Sequence, residues 1–275
     1  PSPRGPAPSA VTVTSWGAPV VWAESPLAAR RRARFRDSPL RVALVTLVVG
    51  NYALYLPGFV STAEEHFLPR RPLTYYILTD NPRALLPPPP LRAGRDIRVV
   101  PVAEMPGWER LYARRLPLLA EVLRGMAREE GGVDYVLCAD VDLEFVGEVG
   151  EEVLDELVGV AHSDFFGKAP GELPYERAES AAAVTQEEGE WFYTSELYGG
   201  TVGALLRLAR NCSLLLLQDH ARRVTASRRE EAYLNRCFID HAPSCVLSPD
   251  YSGGGAEPRV RSRNRQCPER NRDLC

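Results

Sequence analysis

The segment Tyr135-Val136-Leu137-Cys138-Ala139-Asp140-Val141-Asp142 is an apolar run that stops at two carboxylates one residue apart. In an extended strand, alternation puts residues 140 and 142 on the same side. Two carboxylates that close repel, and each is raised in pKa unless a cation sits between them. A divalent ion answers that problem, and Mn²⁺ or Mg²⁺ is the oxygen-seeking choice. The same pair also has a plain structural use, with Asp140 capping the next element and Asp142 solvated in a loop.

Other chemistries lack their residues. No G-x-G-x-x-G follows the first apolar run and no G-x-x-x-x-G-K-[ST] occurs, which argues against a dinucleotide dehydrogenase and a P-loop enzyme. There is no G-x-S-x-G nucleophile elbow. His66, His162, His220 and His241 show no zinc-protease spacing. Cys138, Cys212, Cys237, Cys245, Cys267 and Cys275 form no C-x-x-C pair, so a zinc ribbon or thioredoxin-like motif is not expected. The 33 basic and 36 acidic residues leave a net charge of −3, with no global attraction to nucleic acid. Lys168 is the one lysine among the basic residues.

The elements that must hold the acidic motif read as α/β. At 275 residues, 45% hydrophobic and 25% charged, the chain has material for one large α/β domain. Val42–Val49 is a continuous apolar run, long enough for a buried strand. Thr74–Leu78, Ile97–Val102 and Tyr135–Ala139 are further β-rich runs. Helical stretches fall at about Ala53–His66, Glu109–Arg128, Val202–His220 and Arg229–Phe238; in the second, Leu111, Leu116, Leu119, Val122 and Leu123 share a face. Alternating strands and helices predict a mostly parallel central sheet with helices on both faces, its ligands beyond the carboxyl ends of the strands. Residues 1–40, rich in Pro, Arg, Ala and Ser, read as a stem or linker and an N-terminal strap. Residues 41–251 read as the main α/β domain and 252–275 as an irregular tail. The absence of an apolar run near ~18 residues predicts no membrane span, and a start at Pro1 reads as a fragment or mature ectodomain whose anchor would already be missing.

With these elements in place, the acidic motif does not stand alone. Val13-Thr14-Ser15-Trp16-Gly17-Ala18-Pro19-Val20-Val21-Trp22 precedes Tyr75-Tyr76-Ile77-Leu78-Thr79-Asp80-Asn81-Pro82. Asp134 to Phe145, Pro174-Tyr175-Glu176-Arg177 and Glu188-Gly189-Glu190-Trp191-Phe192-Tyr193 follow. Then come Tyr198-Gly199-Gly200, Glu231-Ala232-Tyr233-Leu234-Asn235 and Val246-Leu247-Ser248-Pro249-Asp250-Tyr251. In this order the segments resemble glycosyltransferase family 6, the family of the histo-blood-group A and B transferases, α-1,3-galactosyltransferase and the Forssman-type transferase, over about residues 11–251.

The resemblance implies a GT-A fold and a UDP-sugar-dependent hexosyltransferase. It implies Mn²⁺-dependent transfer of galactose or N-acetylgalactosamine, with retention, in α-1,3 linkage to a β-galactoside on a glycolipid or glycoprotein. It makes Asp140 and Asp142 the metal ligands. It makes Leu47, Val48, Val49, Tyr52, Arg115, Val141, Thr194, Glu196 and Glu230 donor-binding, His162 acceptor-binding and Glu231 the catalytic carboxylate beneath the anomeric carbon. A glutamate there stabilises an oxocarbenium-like transition state or acts as nucleophile. The structural alternatives are core packing for Val48, a surface cation for Arg115, and a helix-start carboxylate for Glu231 that favours the helix dipole. The family's type II Golgi membrane proteins imply a lumenal catalytic domain and membrane contact only through an N-terminal anchor.

Several positions depart from that pattern. Glu196 places a charge where the family has small or apolar residues, and Glu230 replaces its usual Asp. Arg228 and Arg229 replace a Trp-His pair whose Trp supports the acceptor sugar. Pro174 replaces a hydroxyl residue, and Ser252-Gly253-Gly254-Gly255 stands where Trp-Asp is expected. Arg259, Arg261 and Arg263 supply charge without matching the family's basic tail. These departures carry the alternative expectation: a catalytically weak or inactive paralogue that still binds a UDP-sugar or glycan.

Overall fold

The computed structural model describes residues 11–103, 108–129, 131–177, 179–255 and 257–263. Ten strands run as β1 (Val20–Val21), β2 (Val42–Val48), β3 (Leu73–Thr79), β4 (Arg95–Pro101), β5 (Tyr135–Ala139), β6 (Leu143–Phe145), β7 (Leu157–Ala161), β8 (Tyr193–Thr201), β9 (Cys245–Leu247) and β10 (Val260–Ser262). The helices are α1 (Pro26–Phe35), α2 (Leu56–His66), α3 (Trp108–Met126), α4 (Val202–Arg222) and α5 (Arg229–Asp240). Eight strands form one sheet in the order β1-β9-β7-β8-β5-β2-β3-β4. β8 alone in this sheet runs antiparallel to its neighbours, β5 and β7. The predicted mostly parallel α/β sheet is therefore what the chain builds.

Strand alternation sorts the core into two layers. Along β2, Val42, Leu44 and Val48 join α2 and Ala28 of α1 on one face, while Ala43 and Val45 join α3, α4 and α5 on the other. An apolar run without polar alternation is what a strand buried on both faces requires. The run Val42–Val49 satisfies that requirement, and the helices on both sides cover it.

Both ends of the chain carry elements that the sequence reading did not detail. Within the segment read as stem and strap, β1 pairs in parallel with β9 and α1 docks on the domain. Helix α1 has no continuous apolar stripe. Arg31 donates to the Glu152 and Leu154 carbonyls and pairs with Asp155 at 2.8 Å, and Arg32 pairs with Glu152 at 2.6 Å. These ion pairs hold it together with the packing of Leu27, Ala28 and Phe35 on the core. Within the stretch read as an irregular tail, β10 pairs antiparallel with β6 in a two-stranded sheet, and the Arg263 amide donates to the Asp142 carbonyl at 3.0 Å.

Cys138, Cys212, Cys237 and Cys245 are free thiols in the interior. Cys267 and Cys275 lie outside the described residues.

Candidate active site

The parallel strands bring their carboxyl ends to one edge of the sheet. Val42 to Val45 of β2 pair with Tyr135 to Cys138 of β5, so continuing the register sets Leu47 beside Asp140. Antiparallel β8 contributes its amino end, with Leu197 opposite Ala139. The Asp140 amide donates to the Glu196 carbonyl at 2.9 Å. His162 follows the last residue of β7 at the same edge.

The acidic motif is a turn and not an extension of β5. The strand ends at Ala139, and the Leu143 amide closes onto the Asp140 carbonyl at 3.1 Å, with Val141 and Asp142 in the central positions. The premise of strand alternation therefore fails beyond Ala139, and turn geometry presents the two carboxylates. Val141 is buried and anchors the turn, and Asp142 is also largely buried.

Arg115 crosses to this turn from α3. Its guanidinium pairs with Asp140 and lies 3.5 Å from Glu230 at the start of α5. Burial opposes the Arg115 charge, yet the Asp140 and Glu230 carboxylates hold its pKa well above the usual value. Burial raises Asp140, and Arg115 counteracts it. Glu230 rises to about 7, chiefly by burial, with Arg115 opposing and the charges of Asp140 and Glu231 adding to the rise. One cation thus stands between carboxylates from two distant parts of the chain.

The remaining predicted donor residues rim the same edge. Leu47 is half-buried on the α3–α5 side, and Val48 is packed into the opposite core layer. Val49 leads into a 3-10 turn, Gly50–Tyr55, where half-buried Tyr52 meets Tyr55 at 5.7 Å between ring centroids. The Gly50 amide lies 3.2 Å from both oxygens of Asp80 at the end of β3, a brace that the sequence motif contains but does not explain. Thr194 and Glu196 sit in a bulge: the two steps from Gly159 to Ala161 on β7 face the five from Tyr198 to Tyr193 on β8. Such bulges re-aim side chains beside sites. Thr194 is buried, and its Oγ1 accepts from the Glu196 amide at 3.1 Å.

Glu231 follows Glu230 in the first turn of α5. Its Oε2 accepts from Arg228 Nη1 at 3.0 Å, and its Oε1 lies 3.9 Å from His162 Nε2. The Asp164 amide donates to His162 Nδ1 at 3.2 Å, so in the neutral ring the proton resides on Nε2, facing Glu231. Asn235, one turn on, binds both backbone groups of Tyr193 at 2.8 Å and donates to the Glu231 carbonyl at 2.9 Å. This buried amide locks the start of α5 to the start of β8. Its signal was a polar residue four positions after Glu231, on the same helix face.

Among the described residues, no three His, Cys, Asp or Glu side chains gather into a complete protein-built metal cage. A hard ion of the Mg²⁺ type does not need one, since it is held by one or two carboxylates together with substrate phosphate and water. Asp140 and Asp142, all-oxygen donors on one tight turn, suit that mode.

The sequence model of glycosyltransferase family 6 matches residues 4–262 of this chain. The chain belongs to glycosyltransferase family 6. Its relatives within the family include a globoside alpha-1,3-N-acetylgalactosaminyltransferase 1 from Mus musculus, 34% identical over 253 residues, covering 92% of this chain and 72% of that protein. The histo-blood group ABO system transferase 2 of Rattus norvegicus is 32% identical over 242 residues, 88% of this chain and 72% of that one. The alpha-1,3-galactosyltransferase 2 of Homo sapiens is 36% identical over 248 residues, 89% and 72% respectively. As a family 6 member the chain is a UDP-sugar-dependent glycosyltransferase with a GT-A type fold. No helix among its described residues is long and apolar enough to cross a membrane.

Proposed function

We propose that this chain transfers galactose or N-acetylgalactosamine from its UDP-sugar to the 3-hydroxyl of a β-galactoside on a glycolipid or glycoprotein, with retention and in α-1,3 linkage. The supporting observation is the convergence of the Asp140–Asp142 turn and the Glu230-Glu231 pair around Arg115 at one sheet edge. Asp140 and Asp142 would hold Mn²⁺, which when bound supplies neutralisation of the diphosphate leaving group. Leu47, Val49 and Tyr52 bind the uridine, and Thr194, Glu196 and Glu230 contact the donor sugar. Arg115 orients Asp140 and Glu230 and offsets their mutual repulsion. His162 orients the acceptor.

In the transfer, the bond from the anomeric carbon to the phosphate oxygen breaks and UDP takes the electron pair. The acceptor oxygen finally bonds on the face that UDP left and passes its proton to the departing phosphate oxygen. Glu231 serves the opposite face, as a nucleophile or as the countercharge to an oxocarbenium-like state. A lumenal Golgi setting, with an anchor ahead of this segment, goes with the reading.

A second reading, a weak or inactive paralogue that binds UDP-sugar or glycan, draws on one observation: Glu231 Oε2 is engaged by Arg228 at 3.0 Å. One assay separates them. UDP release is measured with both donors, with and without Mn²⁺, across a panel of β-galactoside acceptors. Acceptor-stimulated, Mn²⁺-dependent release supports the transferase, and binding without turnover on every acceptor supports the second reading.

A further inference from the structure

The surroundings of Glu231 are cationic and aromatic. Phe165 and Phe192 meet edge to face at 5.2 Å, and the His162 ring packs on both, at 4.7 and 5.9 Å. The Arg228 guanidinium lies over the same two rings, 5.0 Å from the Phe165 centroid and 5.5 Å from that of Phe192. Lys168, the chain's one lysine, places its Nζ 5.0 Å from the Phe165 centroid as well, so the two charges are at most twice that distance apart. That ceiling is about one Debye length at about 0.1 M salt.

The Arg228 backbone is fixed. The preceding Ser227 amide donates to buried Glu176 at 2.5 Å, and the Arg229 amide closes a turn onto the Ala226 carbonyl at 3.0 Å. Arg229 itself sits in the left-handed region at φ +49°, a conformation that a non-glycine residue adopts at a cost. The two rings also confine the guanidinium, whose carbon lies 5.0 and 5.5 Å from their centroids. Among the described residues Arg228 makes one hydrogen bond, to Glu231, out of the five N–H donors a guanidinium carries. An arginine stacked on aromatic faces, with donors left over, is arranged for bidentate capture of a planar or tetrahedral oxyanion.

We infer that the acceptor of this enzyme carries an acidic group, a carboxylate or a sulfate, near the accepting galactose, and that Arg228 is the residue that recognises it. The inference rests on the transferase reading for the identity of the acceptor. Lys168 adds attraction at longer range. The oxyanion competes with Glu231 for Arg228, so the acidic acceptor both docks and loosens the contact that engages Glu231 Oε2. A neutral acceptor offers no such exchange.

The test measures binding of lactose, 6′-sulfolactose and 6′-sialyllactose by titration calorimetry, with UDP and Mn²⁺ present, at low and at raised salt. All three probes keep the galactose 3-hydroxyl free. The expected result is that at least one acidic probe binds roughly tenfold or more tightly than lactose, the scale of a charge-assisted hydrogen bond. The margin shrinks with salt and disappears in Arg228→Gln. Whether sulfate or carboxylate is preferred names the source of the acid. Arg207→Ala, which removes a surface cation paired with Glu156 elsewhere, leaves the preference intact. Equal binding of the three probes by the wild type, or a preference that survives Arg228→Gln, overturns the inference. Efficient transfer to lactose with no acidic preference leaves the transferase reading standing and removes only this inference. An Arg228-dependent acidic preference without transfer from either donor to any probe removes the transferase reading instead.

Discussion

The two halves of the proposed site are built differently. On the proposed donor side, Asp140, Arg115 and Glu230 form a mostly buried chain of charges, positioned by a strand end and two helices of the core. On the proposed acceptor side, Arg228 and Lys168 lie over an aromatic ledge beside loops, with Arg228 partly in solvent and paired with Glu231. Buried ion networks resist change, because removing one partner strands the others without water. A cation at the surface can be exchanged at little cost to folding. Under the proposed assignment, the contrast separates the part of the site that is costly to alter from the part that is open to change.

The sharpest test of that contrast compares two arginines. Arg115→Ala leaves Asp140 and Glu230 facing each other in the interior and is expected to destabilise the fold by about 3 kcal/mol, the scale of breaking a buried pair. Arg228→Ala is expected to stay within about 1 kcal/mol, as for other exposed pairs. Denaturant unfolding of both variants checks this, and equal losses would erase the distinction.

Glu231→Gln keeps the shape and removes the charge. Transfer is expected to fall roughly 10²-fold or more, the scale of losing a charge-stabilising group, with UDP affinity little changed. A wild-type rate in this variant would pass the catalytic role to Glu230 or Glu196.

Asp142→Asn is expected to abolish the gain in UDP affinity on adding Mn²⁺, a loss of roughly tenfold or more on the scale of damaged metal sites. Far-UV circular dichroism should remain that of the wild type. The same UDP affinity with and without Mn²⁺ in both proteins would remove the metal assignment.

The smallest effect concerns pH. Glu230 is raised from 4.5 to about 7, so its folded state favours the neutral acid. The stability tied to that proton is present below pH 4.5 and declines as pH rises towards about 7. Melting temperatures of the wild type should therefore fall across this window relative to Glu230→Gln. Parallel profiles would show that folding does not raise the Glu230 pKa.

Legibility followed the same physical division. The buried parallel strands β2, β3 and β5 announce themselves as apolar runs, edge strand β4 shows only a short β-rich run, and the acidic turn stands at the end of β5. Strand β8 does not, because its sequence is interrupted by Gly199 and Gly200. A Cβ on Gly199 would lie 2.6 Å from the Val136 carbonyl oxygen, and one on Gly200 would lie 2.3 Å from that of Glu156. These glycines permit close packing of the strand, but in sequence they read as a break. Short β1, β7 and β9 are recognisable only once their neighbours are in place. In the site, the resemblance supplied Asp140, Asp142, Glu231 and Arg115, and the structure draws three of them to one charge network through Glu230. The Arg228–Glu231 contact was not legible. It depends on a left-handed residue and an aromatic ledge assembled from Phe165 and Phe192, on separate parts of the chain.

The Asn235 clamp bears on how such an enzyme can be rebuilt. It fixes α5 to β8 from within the helix, using both backbone groups of Tyr193 and the carbonyl of Glu231. The position of Glu231 is therefore set from downstream, and the connection 223–228 ahead of it is relieved of that task. That connection can serve as an exchangeable cassette. Segments grafted from related transferases would alter the chemistry beside Glu231 while its carboxylate stays in register, so this side of the proposed site is open to loop exchange without redesign of the core.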